Sequence, residues 1–507
     1  MNIKKKFENT HFIALCIVLM FILSLIQNIY FSLNPDTSWL IIVAEKLLEG
    51  KILGKDIIEV NPPASAIIYI PGILISKLVH LRPEIGVSLT VYILTFLLCL
   101  FIININNKTH ISDKLAINIL CLFFVSITCL YFQYYFSQRE HFALILSIPY
   151  IMTSCIRING QEQYLNRWFF IVSGICMGLS GCIKPVFFLA PFLCNLSFIF
   201  TKRDYRGLFW VENFITLIVL IFYGFVVFIF FKEYIQFLNE FVFEAYLARQ
   251  QTWEWVFFSE GFLYITLVVL YGMLTLFFGQ SPLQKQFSLA SIGYYLAFVM
   301  QRKGYFYHVY PAFVSIYLSF VLLCFRIIRK KMNENYGFMI KLPVFVVIIY
   351  GVVLTATSVF TNWHVTKRSR QAEAYINEIA PHPTMASLAA SFGTSFPLVL
   401  NVQGRWVVSL HSIITITHLL PEEQRQLLDG DYDAAFLTPK DKWLIEKASQ
   451  DIIDNKPDII VLETLPEWTA FLLSFPKVRN ALSMYTHTKS LDRIDIWVRN
   501  DLLLKRK

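Results

Sequence analysis

Asn34-Pro35-Asp36-Thr37-Ser38-Trp39 is a short polar stretch directly after the apolar run 11–31. It continues as Ala44-Glu45-Lys46-Leu47-Leu48-Glu49-Gly50 and closes on Glu59-Val60-Asn61-Pro62-Pro63. The run reads as a first membrane helix, and the polar turn as its mouth. An amphipathic helix starting near Ser38 follows, and then a Pro-Pro breaker at Pro62-Pro63. The run is about 20 residues long, too long for the core of a secretory signal, and no small-x-small cleavage site comes after it. With Lys4-Lys5-Lys6 ahead of it, it is a signal anchor whose basic end lies in the cytoplasm.

Composition agrees. Of 507 residues, 56% are hydrophobic and only 16% charged. Soluble domains stay near roughly 45–50% apolar with about a quarter charged, so this is a polytopic membrane protein. The formal charge of +9 is spread over loops, which makes it a topology signal and not a nucleic-acid footprint. The nine cysteines lie in or beside apolar runs without metal-ligand spacing, as buried small hydrophobes do.

Apolar runs recur at 12–32, 64–79, 86–103, 115–135, 142–157, 168–182, 186–200, 212–231, 260–279, 286–300, 307–327 and 341–360. They predict an α-helical bundle of about 11–13 transmembrane helices, several short enough to be tilted or broken. The basic segments Arg326-Ile327-Ile328-Arg329-Lys330-Lys331, Lys202–Arg206 and Arg157–Arg167 are expected in the cytoplasm. Alternation then puts Gln138-Arg139-Glu140-His141, Lys184-Pro185, the segment from Gln301 to His308 and everything after Thr361 on the outer face with Asp36. This parity requires one early run not to cross, and the helix after Pro62-Pro63, interrupted again at Pro71-Gly72, is the expected one.

From about Asn362 the patterns shorten. Strands are expected at 458–463 and 494–498, and helices at 439–455 and 466–482, each helix opened by a proline. The expected organisation is a membrane domain over 1–361 and a small soluble α/β domain over 362–507. Neither a Gly-rich phosphate loop nor a metal cluster occurs in the second part.

Ionisable groups at membrane depth are costly unless used, so each is a functional candidate. Asp36 reads either as the cap of a helix starting near Ser38 or as a catalytic base. Glu45 and Glu49 read as the solvated face of that helix. Arg139-Glu140-His141 is either a capping turn or a second acid, Glu140, serving acceptor or divalent metal, with Arg139 orienting it or binding phosphate. Lys184 either snorkels to the surface or meets an anionic headgroup. Arg302, Lys303 and His308, interleaved with Tyr305, Tyr307 and Tyr310, suit a phosphate, against the alternative of an interfacial aromatic belt. The loop 237–255, with Trp253 and Trp255, reads as an amphipathic helix on the membrane surface.

An Asp after the first helix, the helix end Leu47-Leu48-Glu49-Gly50, the Asn61-Pro62-Pro63 segment, a second acidic position at Glu140 and the turn Gly181-Cys182-Ile183-Lys184 occur in this order. On these motifs, over about the first 310 residues, the chain resembles the GT-C superfamily of polyprenyl-phosphate-sugar glycosyltransferases. It is most similar to bacterial relatives of protein O-mannosyltransferases and lipid A aminoarabinose transferases. The resemblance implies transfer of a sugar from a polyprenyl-phosphate donor to an acceptor hydroxyl, with inversion, at the outer face of a bacterial inner membrane. It gives Asp36 the role of base and makes Glu140 the second acid. Lys303 and His308 resemble the cations that hold the lipid phosphate, with Arg139, Lys184 and Arg302 beside them and His141 and Tyr307 as accessory residues. Asn61 departs from the family, where Lys or His often precedes Pro-Pro. The implied partners are a polyprenyl-phosphate-linked sugar, a hydroxyl acceptor and membrane lipids, with no nucleic acid and no firmly implied cofactor. The competing readings are a flippase for lipid-linked glycans and a lipid-linked glycan polymerase or ligase.

Overall fold

The computed structural model describes residues 3–131, 133–241, 251–258, 281–331, 369–389, 391–413, 439–491 and 493–504, with isolated positions between them. In chain order its first helices are α1 (Ile3–Tyr30), α2 (Pro35–Leu48), α3 (Ala64–Ile67), α4 (Ile70–Leu78), α5 (Pro83–Thr109), α6 (Lys114–Val125) and α7 (Arg139–Ile158). Next come α8 (Arg167–Ile183), α9 (Leu189–Lys202), α10 (Val211–Phe230), α11 (Lys232–Phe237), α12 (Trp253–Phe258), α13 (Pro282–Gln301) and α14 (Tyr310–Lys331). Among the described residues seven helices are long and apolar enough to cross a membrane, and the chain is an integral membrane protein. The expected runs 260–279 and 341–360 lie largely outside the described residues, as does the boundary expected at 361.

The stretch 64–78 is shorter than these spans and is broken between α3 and α4. At 1.5 Å per residue it reaches roughly 22 Å, short of a hydrocarbon core of about 30 Å.

The chain forms two compact units, and they are not the continuous stretches 1–361 and 362–507 that the sequence suggests. One unit comprises Met1–Phe31, Val87–Phe225 and Gln250–Val365; the other comprises Ser32–Gly86, Val226–Arg249 and Thr366–Lys507. The stretch Ser32–Gly86 thus shares a unit with the C-terminal segment. The physical reason is packing: α2 is buried on all sides from Thr37 to Ala44, which an amphipathic surface helix would not be.

In the first unit α7 packs on α8, α13 on α9 and α14, and α1 on α6. Serines set the register of α7 against α8. Ser173 Oγ donates to the Pro149 carbonyl at 3.0 Å and Ser180 Oγ to the Ala143 carbonyl at 3.1 Å, so α8 climbs antiparallel toward the start of α7. Gly174 and Gly178 let α10 approach α8, because a Cβ on either would stand 2.6 Å from Glu212 O or the Val219 side chain. At the far end of α7 the Arg157 guanidinium donates both Nε and Nη2 to the fully buried Glu212, each at 2.9 Å, and lies over the Phe170 and Trp210 rings.

The second unit holds a five-stranded sheet of order β2-β1-β3-β5-β4, formed by β1 (Thr384–Ser387), β2 (Arg405–Trp406), β3 (Ile459–Glu463), β4 (Tyr485–Leu491) and β5 (Ile494–Arg499). β1 pairs in parallel with β2 and β3; β5 pairs antiparallel with β3 and β4. The all-apolar run Ile459–Leu462 occupies the middle strand and is wholly buried. The helix 439–455 is present, whereas the one expected over 466–482 is two, Pro466–Ser474 and Pro476–Leu482. Pro476 lacks the N–H needed to continue the first and opens the second instead.

Candidate functional site

Gln138 is the N-cap position of α7, preceded by Ser137 in the left-handed region at φ 57°. Arg139, Glu140 and His141 therefore form the first turn of a long helix, where the macrodipole favours a carboxylate. Glu140 is 1% exposed. The α7–α8 register delivers Lys184, the residue closing α8, to it: Lys184 Nζ lies 3.3 Å from Glu140 Oε1. Pro185 then turns the chain, so Lys184 sits between helices and makes an ion pair where a snorkelling lysine would have reached water.

His308 joins them from the 3-10 turn Phe306–His308 between α13 and α14, its Nε2 4.0 Å from Glu140 Oε1. Tyr307 and Tyr305 hold the ring edge-on, with centroids at 4.4 and 5.7 Å, and are themselves stacked at 5.5 Å. Burial first, then the Lys184, Arg139 and Lys303 cations, push the His308 imidazole well below its ordinary pKa. The sequence expectation is a cation at this position; burial and the neighbouring cations favour the neutral form. It is a neutral ring that can donate one hydrogen bond. Lys184, Arg139 and Lys303 are the cations that act on this ring.

Arg302 is differently engaged. It ends α13 in the left-handed region at φ 46°, lies 4.1 Å from the Trp253 ring centroid, and donates Nη2 to the Gln251 carbonyl at 2.9 Å. Trp253 and Trp255 belong to the six-residue α12, both about half exposed; residues 242–250 of the expected amphipathic helix lie outside the described residues. His141 is fully buried, edge-on to Phe136 and Tyr310, and its Nδ1 accepts from the Ser137 N–H at 3.1 Å.

Asp36 belongs to the other unit. It is not the cap: the helix starts at Pro35, and Asn34 caps it by accepting the Asp36 N–H at 2.8 Å. A cap must precede the proline that occupies the first helical position, which leaves Asp36 in the first turn, half-buried. One turn on, the Trp39 indole N–H donates to Glu59 Oε2, while Glu59 Oε1 accepts from Asn61 N and Nδ2 at 2.7 and 2.6 Å. Glu59 is thus a buried carboxylate tying α2 to the segment before Pro62-Pro63. Sequence reasoning gave it no role, although a lone acid in Ile57-Ile58-Glu59-Val60 was the available signal. Glu49 is exposed and paired with Arg405 at 3.0 Å. Glu45, expected on the same solvated face, is half-buried, and burial first, then Glu84 and Glu49 against the opposing Lys77, lifts its carboxyl to about 7.

Among the described residues no three His, Cys, Asp or Glu side chains come together as a metal set, and an ammonium already holds Glu140 Oε1. An ammonium and an imidazole meeting at one buried carboxylate are donors of the kind that suit an anion.

No protein-family model and no curated protein sequence matches the chain. Solved structures do. ArnT from Cupriavidus metallidurans in the apo state superposes with a TM-score of 0.59 at 13% identity, covering 96% of this chain and 96% of that one. The same protein bound to undecaprenyl phosphate superposes with a TM-score of 0.57 at 12% identity, covering 97% and 99%. The chain thus shares the fold of these ArnT structures.

Proposed function

We propose that the protein is a glycosyltransferase that moves a sugar from a polyprenyl-phosphate donor to an acceptor hydroxyl. The observation that carries the reading is the meeting of Lys184 and His308 at the buried Glu140, with Arg139 and Lys303 acting electrostatically on the same His308 ring. A similar fold occurs in a protein solved with undecaprenyl phosphate bound.

In this reading the acceptor oxygen attacks the anomeric carbon as the bond from that carbon to the phosphate oxygen breaks. The polyprenyl phosphate leaves with the bonding pair, and its charge is neutralised by Lys184, Lys303 and Arg139 while His308 donates a hydrogen bond. Glu140 keeps Lys184 in place between turnovers. Asp36, in the first turn of α2, takes the acceptor proton. A single displacement inverts the anomeric configuration. In this reading the reaction takes place on the outer face of the membrane, an orientation that the loop charges support.

The test is transfer from polyprenyl-phosphate sugars in membranes, followed by mass spectrometry of glycolipids and glycoproteins with and without the protein. Asp36→Asn is expected to abolish transfer while leaving polyprenyl phosphate binding intact. Full transfer by that variant removes Asp36 as the base, and no binding of polyprenyl phosphate by the wild-type chain removes the donor.

A further inference from the structure

Asp36 lies in the first turn of α2, where helices fray most readily because the leading N–H groups have no partners within the helix. A base carried there keeps one position only if groups outside the helix hold the turn. Residues of the C-terminal segment hold it on both sides.

Ahead of Asp36, Ser32 Oγ donates to Asn401 Oδ1 at 3.1 Å and accepts from Asn401 Nδ2 at 2.8 Å. The same Nδ2 donates to Glu373 Oε1 at 2.8 Å, so the amide is itself fixed by a buried carboxylate on the helix Arg370–Ile379. After Asp36, the buried Trp39 ring meets Phe396 at 5.4 Å and His411 at 5.3 Å between centroids, and its indole N–H donates to Glu59. Phe396 stands just before the short helix Leu398–Asn401, so one short stretch supplies a contact to each side of Asp36. Further along α2, Lys46 Nζ donates to the Val408 carbonyl at 2.6 Å, and the Ile58 N–H donates to the Ser409 carbonyl at 2.9 Å.

The two contacts nearest Asp36 are stiff ones. A hydroxyl bonded to both atoms of one carboxamide cannot turn without breaking a bond, and a tryptophan packed between two rings has only two side-chain torsions to hold. The chain entering α2 and the turn leaving Asp36 are therefore both fixed to the C-terminal segment.

We propose that Ser32 and Asn401 are positioning residues for Asp36, and that through this pair the C-terminal segment takes part in the transfer reaction. The proposal rests on the reading of Asp36 as the base. Misplacing a reacting group by about 1 Å can cost about 10²-fold in rate, and loss of one of the two anchors is expected to cost about tenfold.

Steady-state transfer by the full-length chain tests it, using the polyprenyl-phosphate sugar identified by the mass spectrometry above, with binding of bare polyprenyl phosphate measured on the same preparations. Ser32→Ala, which removes one hydroxyl, and Asn401→Leu are each expected to lower kcat about tenfold while KM for the donor and affinity for the bare lipid stay at wild-type values. Ser32→Thr keeps the hydroxyl and is expected to keep kcat. Arg405→Ala cuts the exposed pair with Glu49, which also joins α2 to this segment, and is expected to leave kcat unchanged. Wild-type kcat in Ser32→Ala overturns the proposal. A rise in KM without a fall in kcat, failure of Ser32→Thr to keep the rate, or an equal loss in Arg405→Ala does so too, the last because it makes the effect one of docking in general. With Asp36→Asn inactive and Ser32→Ala unimpaired, the base reading stands and only the positioning falls. Full transfer by Asp36→Asn overturns the base reading itself, and this inference with it.

Discussion

Lys184→Met removes the ammonium that lies 3.3 Å from Glu140 Oε1 and strands a carboxylate that is 1% exposed. At an effective dielectric constant of about 20, unit charges at that separation attract by about 5 kcal/mol. Stranding one partner of a buried pair costs about 3–5 kcal/mol in practice, so the two figures converge. The variant is expected to lose about that much unfolding free energy. Glu140→Gln added to it should restore most of the loss, leaving the double variant within about 1–2 kcal/mol of wild type, because a neutral amide needs no counter-charge. The assay is denaturant unfolding in detergent followed by tryptophan fluorescence, run on wild type, both single variants and the double. If the single effects simply add, with a coupling below about 0.5 kcal/mol, the pair carries no net interaction and Lys184 is not the counter-ion of Glu140.

His411 gives a pH-dependent prediction. Burial lowers its imidazole from an ordinary 6.5 to about 4 despite the opposing Glu59, so between those values the unfolded chain takes up a proton that the folded chain does not. Stability should fall by about 3 kcal/mol as pH drops through that window, and His411→Phe, which keeps the edge contact with Trp39, should remove the loss in a pH series of thermal unfolding. Gly293→Ala puts a Cβ 2.4 Å from the Ala190 backbone and should cost about 1–3 kcal/mol or block expression. Gly224→Ala on α10 meets nothing within 4 Å and should stabilise by about 0.5–1 kcal/mol; equal behaviour of the two glycines would refute the close approach of α9 and α13.

The helices were legible because apolar runs of spanning length have few other uses, and Ile459–Leu462 was legible as a buried strand for the same reason. β1 and β2 escaped because four and two residues are too few to show a period. β4, Tyr485-Thr486-His487-Thr488-Lys489-Ser490-Leu491, escaped because an edge strand can be polar on most of its length. At the site, Glu140, Lys184 and His308 stood out singly as charges amid apolar sequence. Their meeting could not be read, since it depends on two serine hydrogen bonds that fix how far α8 climbs along α7. Charge state was illegible for a related reason: His308 and Glu45 are set by neighbours far along the chain. The burial of α2 also depends on residues that sequence distance hides, such as Phe396 and His411 against Trp39.

α7 is fastened at both ends, by Glu140 to Lys184 and by Arg157 to Glu212. Each attachment suits the local end of the helix macrodipole, acid at the start and base at the finish. Sliding α7 by one turn, about 5.4 Å, against α8 and α10 would tear both at once, at a cost of about 6–10 kcal/mol. Mechanically it is an axle pinned at both bearings. Whatever travels during a working cycle, α7 is the part against which that travel is measured.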